Sequence, residues 1–183
     1  AVVMSLAFYN RGHSYYWMGQ YDQAIEDYSR SIELDPNDPD AYSNRGVAYF
    51  QSGDYDQAIK DYGRAIALDP NHAEAYCNRG VVYKKKGQFD RAIEDYNRAI
   101  AINPDYAEPY KNRGNAYAAK GQFDQAFENY NRAIKLGLEE AKLYDNCGIV
   151  CGMKKQYAQS IEYFTRAIAL EPNEARYYDN RGI

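Results

Sequence analysis

The sequence repeats itself with a period of 34 residues. The tripeptide Asn-Arg-Gly recurs in this register and begins at Asn10, Asn44, Asn78, Asn112 and Asn180. The fifth copy reads Asn-Cys-Gly and begins at Asn146. A fixed period of this length is typical of a repeat array, in which each unit buries its apolar face against its neighbours. Such an array works through a long surface more often than through a pocket of reactive groups.

Counting from Ser5 gives five complete repeats and a sixth that contains only its first helix. We predict repeats at residues 5–38, 39–72, 73–106, 107–140, 141–174 and 175–183. In each repeat, helix A is expected at positions 1 to 14 and helix B at positions 17 to 30. The sequence therefore predicts an all-α protein of eleven helices without strands. Because it begins without methionine and ends inside a repeat, we expect a part of a longer chain.

Large and small residues alternate at fixed positions. Position 4 is aromatic in all six repeats, and position 8 is always glycine: Gly12, Gly46, Gly80, Gly114, Gly148 and Gly182. Position 24 of helix B carries a ring: Tyr28, Tyr62, Tyr96, Tyr130 and Phe164. A glycine inside a helix costs about 1 kcal/mol, so its recurrence predicts the close approach of a neighbouring helix. The alternation predicts rings packed against small residues at core density.

The ends of the helices are also marked. Glycine at position 15 can end helix A in a left-handed conformation, and Asp-Pro or a similar dipeptide ends helix B. The last two complete repeats depart from this pattern, because Gly137 and Leu138 replace Asp-Pro and Lys155 replaces the glycine. A left-handed non-glycine residue costs on the order of 1 kcal/mol. We therefore expect the fifth repeat to be the least stable.

These features resemble the tetratricopeptide repeat (TPR) family over residues 5–174 and the remaining residues to Ile183. The resemblance implies a right-handed superhelical solenoid of antiparallel helix pairs, with helix A on the concave side. One departure is arginine at position 7, where the family usually has leucine. Position 23 offers an acidic partner, and we predict the pairs Arg11–Asp27, Arg45–Asp61 and Arg79–Asp95. The alternative is that these charges are solvated.

Position 6 is asparagine in every repeat, and helix propensity does not explain this choice. The family geometry implies one asparagine per repeat on the concave face. An asparagine amide both donates and accepts hydrogen bonds, so a row could bind the backbone of an extended peptide. The row resembles the asparagine ladder of O-linked N-acetylglucosamine transferases and of importin-alpha-type solenoids. Alternatively, each asparagine bonds the adjacent helix and sets the stacking, and both roles can coexist.

Positions 2, 5, 9, 12 and 13 should flank the row in the groove. They include Tyr9, His13, Tyr16, Trp17, Phe50, Lys84, Lys111, Asn115, Lys142 and Arg176. We therefore expect an aromatic groove at its N-terminal end and a basic groove further along. For Lys84, which lies in a run of three lysines, the alternative is the solvated end of helix A.

Two further functions remain open. Lys111, Asn115, Asn146 and Arg176 match the dicarboxylate clamp by which some co-chaperones of the family hold an acidic C-terminus. The remaining clamp position, which is basic in that family, is Asn180 here. The other alternative is a structural assembly spacer, whose groove is empty or filled by a neighbouring copy.

The composition argues against nucleic-acid binding and against catalysis. A net charge of −4 with both signs interspersed argues against a nucleic-acid partner, which requires a basic stripe. The chain has two histidines and no recognisable catalytic motif, so we expect a non-catalytic protein without metal or cofactor. Cys147 and Cys151 make a poor zinc site, and at least Cys151, at a core position, is interpreted as a packing residue.

The sequence also bears on the cellular compartment and the partners of the protein. It has no apolar run long enough to cross a membrane, and its three cysteines favour a reducing compartment such as the cytoplasm. A protein or peptide partner is therefore expected. Because repeat arrays need a polar cap at each end, we also expect end-to-end self-association.

Overall fold

The computed structural model describes residues 2–182, which form eleven helices and no strand. The helices are α1 (Val2–Trp17), α2 (Tyr21–Leu34), α3 (Pro39–Ser52), α4 (Tyr55–Leu68), α5 (Ala73–Lys85), α6 (Phe89–Ile102), α7 (Ala107–Ala119), α8 (Phe123–Lys135), α9 (Ala141–Met153), α10 (Tyr157–Leu170) and α11 (Ala175–Arg181). Odd-numbered helices are the A helices of the repeats and even-numbered helices are the B helices. The predicted all-α architecture of paired helices is confirmed.

The helices fall into two compact units, the first ending at Ile102 and the second beginning at Asn103. In the first unit, α1, α3 and α5 each pack against the B helix of the same repeat. The B helices α2 and α4 also pack against the A helix of the following repeat. In addition, α3 contacts both α1 and α5. The A helices of this unit therefore form a layer of their own.

The second unit is built in the same way. Helix α7 packs against α8, α9 packs against α10, and the short α11 contacts both α9 and α10. Helix α8 packs against α9, and α7 also contacts α9. The A helices α7, α9 and α11 are again neighbours.

Each hairpin closes on a ring at position 24. Tyr62, Tyr96 and Tyr130 are at most 1% exposed. Each ring lies directly against the position-8 glycine of the facing helix, and a Cβ atom added to Gly80 would lie 2.7 Å from the ring of Tyr96. The glycine therefore makes room for the ring, as the alternation of small and large residues predicts.

The helices end at the predicted glycine and Asp-Pro signals. Asp38 caps α3 by accepting a hydrogen bond from the amide of Asp40, and Gly53 ends the helix with a φ of 89°. Lys155 is left-handed with a φ of 61°. Where Asp-Pro is missing, α8 ends at the left-handed Gly137, and the Leu138 amide donates to the carbonyl of Ala133 at 3.1 Å. A glycine cap of this kind satisfies the last carbonyls and replaces the proline stop.

Candidate functional site

The arginines at position 7 bind the carboxylates at position 23, as predicted. The two guanidinium–carboxylate distances are 2.6 and 2.7 Å for Arg11–Asp27, 2.7 and 2.8 Å for Arg45–Asp61, and 2.8 and 2.8 Å for Arg79–Asp95. The fourth repeat retains the contact with an amide, since Arg113 Nε donates to Asn129 Oδ1 at 2.8 Å. The fifth repeat replaces both partners, with Cys147 and Tyr163. The pair therefore joins helix A to helix B within a repeat.

The same arginines lie over aromatic rings. The guanidinium carbon of Arg79 is 5.7 Å from the ring centre of Tyr76 and 5.9 Å from that of Tyr83. The hydrogen bonds to Asp95 raise the pKa of the Arg79 guanidinium. A planar guanidinium held by two bonds and two rings is a structural charge.

In the first unit, the asparagine row is partly engaged within the protein. Asn44 Nδ2 donates to the hydroxyl of Tyr9 at 2.6 Å, which links α3 to α1. Asn10 is exposed and Asn78 is half-buried. Neither of these amides bonds another side chain within residues 2–182. The first unit therefore contains one asparagine that links neighbouring A helices and two that do not.

In the second unit, two asparagines link neighbouring A helices. Asn146 Nδ2 donates to Asn115 Oδ1 at 2.9 Å, which joins α9 to α7. Asn180 Nδ2 donates to Asp145 Oδ1 at 2.7 Å, which joins α11 to α9. Asn112, the remaining member of the row in this unit, is buried. Wherever the link forms, the amide nitrogen points to the preceding repeat and the amide oxygen is left for another donor.

Three of the residues predicted for the aromatic end of the groove, His13, Tyr16 and Trp17, form one cluster, whereas Tyr9 packs against the ring of Tyr28. Trp17 is 74% exposed, and its indole nitrogen donates to His13 Nε2 at 2.9 Å. The ring of Tyr16 meets that of Trp17 edge to face at 5.5 Å. Phe50 instead lies 5.6 Å from the ring at position 17 of its own repeat. His13, Tyr16 and Trp17 therefore form the aromatic part of the site.

The predicted basic residues of the second unit are neutralised by carboxylates. Lys111 Nζ lies 2.8 Å from Glu108 and 3.0 Å from Glu140. Burial by itself lowers the pKa of Lys111, but the bonds to the two glutamates outweigh this effect and raise it. A charge-assisted pair of this kind holds the lysine protonated and directed inward.

Lys142 and Arg176 share a single acid. Asp145 is fully buried, and its Oδ2 lies 3.0 Å from Lys142 Nζ and 3.8 Å from Arg176 Nε. The only predicted basic residue of the first unit, Lys84, is half-buried at the end of α5. Lys111, Lys142 and Arg176 therefore each lie within ion-pair distance of a carboxylate, and the side chains of Lys142 and Arg176 stay about half exposed.

The cysteines lie in the core. Cys147 and Cys151 are fully buried and Cys77 is 2% exposed. Burial raises the pKa of both thiols in α9, and that of Cys151 to about 11. A thiol that stays protonated at neutral pH is a poor nucleophile and a poor metal ligand. Residues 2–182 contain no helix long and apolar enough to cross a membrane.

Sequence reasoning missed two residues of the site. Asp145 fixes Asn180 and two cations, yet position 5 varies between repeats, which hides its role. Gln51 Nε2 donates to the hydroxyl of Tyr16 at 3.3 Å and so connects α3 to the aromatic cluster. The acidic residue within reach of Lys142, three residues along α9, was the signal for Asp145.

The sequence model described as "TPR repeat" matches residues 12–53 and 46–87, and models described as "Tetratricopeptide repeat" match residues 73–106, 107–136 and 141–174. The chain belongs to the tetratricopeptide repeat family. Comparison with curated proteins yields no match.

Solved structures of TPR proteins share the fold. A crystal structure of MamA is 29% identical, covers 91% of this chain and 97% of its own, and has a TM-score of 0.78. MamA from Desulfovibrio magneticus RS-1 is 25% identical, covers 93% and 97%, and has a TM-score of 0.81. YrrB, described as a TPR protein with an unusual peptide-binding site, is 20% identical, covers 96% and 91%, and shares the fold with a TM-score of 0.76. The fold supports an interaction scaffold for protein partners.

Proposed function

We propose that this TPR protein is a non-catalytic scaffold in which the A helices of a unit bind an extended peptide. The orientation of the position-6 amides is the observation that carries this proposal. In Asn44, Asn146 and Asn180 the amide nitrogen donates to the preceding repeat. The amide oxygens then remain as acceptors, and peptide backbone N–H groups are donors that match them in any sequence.

The linking role of the asparagines and the peptide-binding role support each other. A link to the preceding repeat restricts the rotation of the side chain before a ligand arrives. Preorganised groups lose less conformational entropy on binding. Asn78 carries no such link and is half-buried, so its nitrogen and oxygen are both available to a ligand.

Side-chain preference would come from the first repeat. His13 and Trp17 are exposed and pack around the half-buried Tyr16, and Met18 beside them is 68% exposed. Aromatic residues and methionine are typical anchors of protein interfaces. We therefore propose that the first unit prefers a peptide with an apolar side chain at the position that meets Trp17.

The dicarboxylate clamp is a weaker candidate. An acidic C-terminus would have to displace Glu108 and Glu140 from Lys111, and Asp145 from Arg176. Asp145 is fully buried, and removing its cations would leave a buried carboxylate unpaired, which is strongly unfavourable. Amidating the terminal carboxylate of a bound peptide should therefore change its affinity little.

The test selects a ligand from a phage-displayed library of random 12-residue peptides and measures its affinity for the protein by calorimetry. Asn78→Ala should weaken binding by roughly 1–2 kcal/mol, because a peptide backbone group loses its partner. The unfolding midpoint should not fall, because alanine is the better helix former. Arg30→Gln, on a helix B, is the control. Unchanged affinity of the selected peptide for Asn78→Ala would contradict the proposal.

We further propose that copies of this chain self-associate. Met4 and Leu6 on α1 are 59% and 57% exposed, and Met153 beside the α9–α10 groove is 61% exposed. Exposed apolar side chains of this size favour association. Sedimentation at rising concentration should show oligomers that Met153→Glu weakens, and a strict monomer at high concentration would contradict this expectation.

A further inference from the structure

A second surface lies on the third repeat, and Asn78 does not line it. A depression of about 390 Å³ opens between α5 and α6. Its wall contains two tyrosines, two acidic residues and three arginines, which are Arg79, Arg91 and Arg98. Three guanidinium groups around one depression are unusual for a chain whose net charge is −4.

One of the three arginines is a structural charge. Arg79 donates to both oxygens of Asp95 at 2.8 Å. Because Asp95 is 4% exposed and both of its oxygens are engaged, it does not neutralise the other guanidinium groups. The pair instead forms the floor of the depression.

The other two arginines retain free donors. Arg91 and Arg98 are exposed, and neither forms an ion pair within residues 2–182. Arg91 lies over the ring of Tyr83 at 5.6 Å and gives one hydrogen bond, to the side chain of Gln88 at 3.2 Å. Stacking on the ring holds the plane of this guanidinium, whereas its remaining N–H groups are uncommitted.

Arg91 distinguishes this repeat from the others. The same position is glutamine in the other complete repeats: Gln23, Gln57, Gln125 and Gln159. The arginine equivalent to Arg98 has a different environment in three other repeats. The guanidinium carbons of Arg64, Arg132 and Arg166 lie 5.8, 5.7 and 5.9 Å from the ring centre of the position-4 tyrosine. The third repeat is thus the one in which an additional arginine reaches the depression.

We propose that this depression binds a dianionic phosphate group through Arg91 and Arg98. Guanidinium groups bind phosphate oxygens with paired, charge-assisted hydrogen bonds. A charge of about −2 at pH 7 matches the two uncommitted arginines. The rings of Tyr76 and Tyr83 give the site walls on which an aryl group can stack. Glu94 in the same wall opposes the anion and limits the affinity.

A phosphate can come from a phosphorylated side chain of a protein partner or from free phosphate, and two probes separate these sources. The whole chain, labelled with nitrogen-15, is titrated with N-acetyl-phosphotyrosine amide and, separately, with inorganic phosphate. N-acetyl-tyrosine amide is the uncharged control. Both phosphates should shift the amides around residues 76–98, and tighter binding of the phosphotyrosine probe would indicate a phosphorylated protein.

Substitutions test the assignment. Arg91→Gln restores the residue of the other repeats and should weaken binding about tenfold, the effect of one charge-assisted contact. Glu94→Gln should strengthen binding about threefold, because it removes an opposing surface charge. Arg30→Gln removes the same charge elsewhere and should change the affinity less than about twofold. Circular dichroism confirms that each variant is folded.

Several outcomes would overturn the proposal. They are the absence of shifts with either phosphate, shifts outside residues 76–98, and equal weakening by Arg91→Gln and Arg30→Gln. The last outcome would show that the phosphates respond to net charge alone. None of these measurements depends on the asparagine row, so the peptide proposal can fail or succeed separately.

Discussion

The ring of Tyr130 packs so closely on Gly114 that a Cβ atom at this glycine would lie 2.5 Å from Tyr130 Cε1. The two residues belong to the facing helices α7 and α8. The corresponding approach of Tyr28 to Gly12 is looser, at 3.2 Å. The space available for a side chain at position 8 therefore differs between repeats, and it is smaller at Gly114 than at Gly12.

The glycine contact predicts a graded effect of alanine substitution. Gly114→Ala should lower the free energy of unfolding by about 2 kcal/mol, because overpacking outweighs the gain in helix propensity. Gly12→Ala should be close to neutral, since a small movement of the Tyr28 ring accommodates the methyl group. Urea unfolding followed by circular dichroism measures both. Equal effects of the two substitutions would show that the close contact does not determine the cost.

Two buried tyrosines at the same repeat position should respond differently to the loss of their hydroxyl. The hydroxyl of Tyr96 is buried without a hydrogen-bond partner among the described residues. That of Tyr130 donates to Asn115 Oδ1 at 2.9 Å. Tyr96→Phe should therefore be neutral or stabilising, and Tyr130→Phe should cost about 1 kcal/mol. Phe164 occupies this position in the fifth repeat and shows that the ring alone suffices. Thermal unfolding of both variants is the measurement, and a larger loss for Tyr96→Phe would refute the assignment.

Removing one partner of the ion pair in the second repeat should lower the free energy of unfolding more than replacing both partners by apolar residues. Arg45 and Asp61 have side chains only 18% and 9% exposed. Asp61→Ala leaves a partly buried arginine unpaired and should cost about 3 kcal/mol. The double variant Arg45→Leu, Asp61→Leu should recover most of that loss, because apolar replacement of a buried pair is often neutral. A double-mutant cycle in urea checks this, and a double variant as unstable as the sum of the single ones would contradict it.

Strain at Lys155 predicts a simple stabilising change. Its φ of 61° is the left-handed conformation that glycine adopts at Gly121 in the preceding repeat. Lys155→Gly should raise the stability of the fifth repeat by about 1 kcal/mol. Hydrogen exchange of residues 157–170 is expected to slow. If α10 already exchanges more slowly than α2 in the unsubstituted protein, the fifth repeat is not the weak one.

The sequence could predict the fold because the same pattern occurs in all five complete repeats. Helices α3 and α4 begin and end at the predicted positions 1, 14, 17 and 30, since glycine, Asp-Pro and the ring positions all agree. The Arg–Asp pairs followed from a covariation inside the chain, in which Cys147 and Tyr163 replace both partners together. Repetition thus gives information that a single copy lacks.

The charged part of the site was harder to predict because its residues differ from one repeat to the next. Asp145 binds cations from α9 and α11, and nothing in the period indicates that Lys142 and Arg176 converge on it. Side-chain charge predicted a basic groove but did not indicate that Lys111, Lys142 and Arg176 each lie close to a carboxylate. The direction of an amide, such as the nitrogen of Asn44 toward Tyr9, also depends on the neighbouring helix and not on local sequence.

Binding of peptides on the A helices through the position-6 amides can be observed in a nitrogen-15 chemical-shift map. The signals to follow are those of the first unit with the library-selected peptide, including the side-chain amides of Asn44 and Asn78. We expect both side-chain amides and the backbone of α1, α3 and α5 to shift, and Asn78→Ala to remove much of the affinity. Shifts confined to α2, α4 and α6, with the asparagine side-chain signals unmoved, would contradict it.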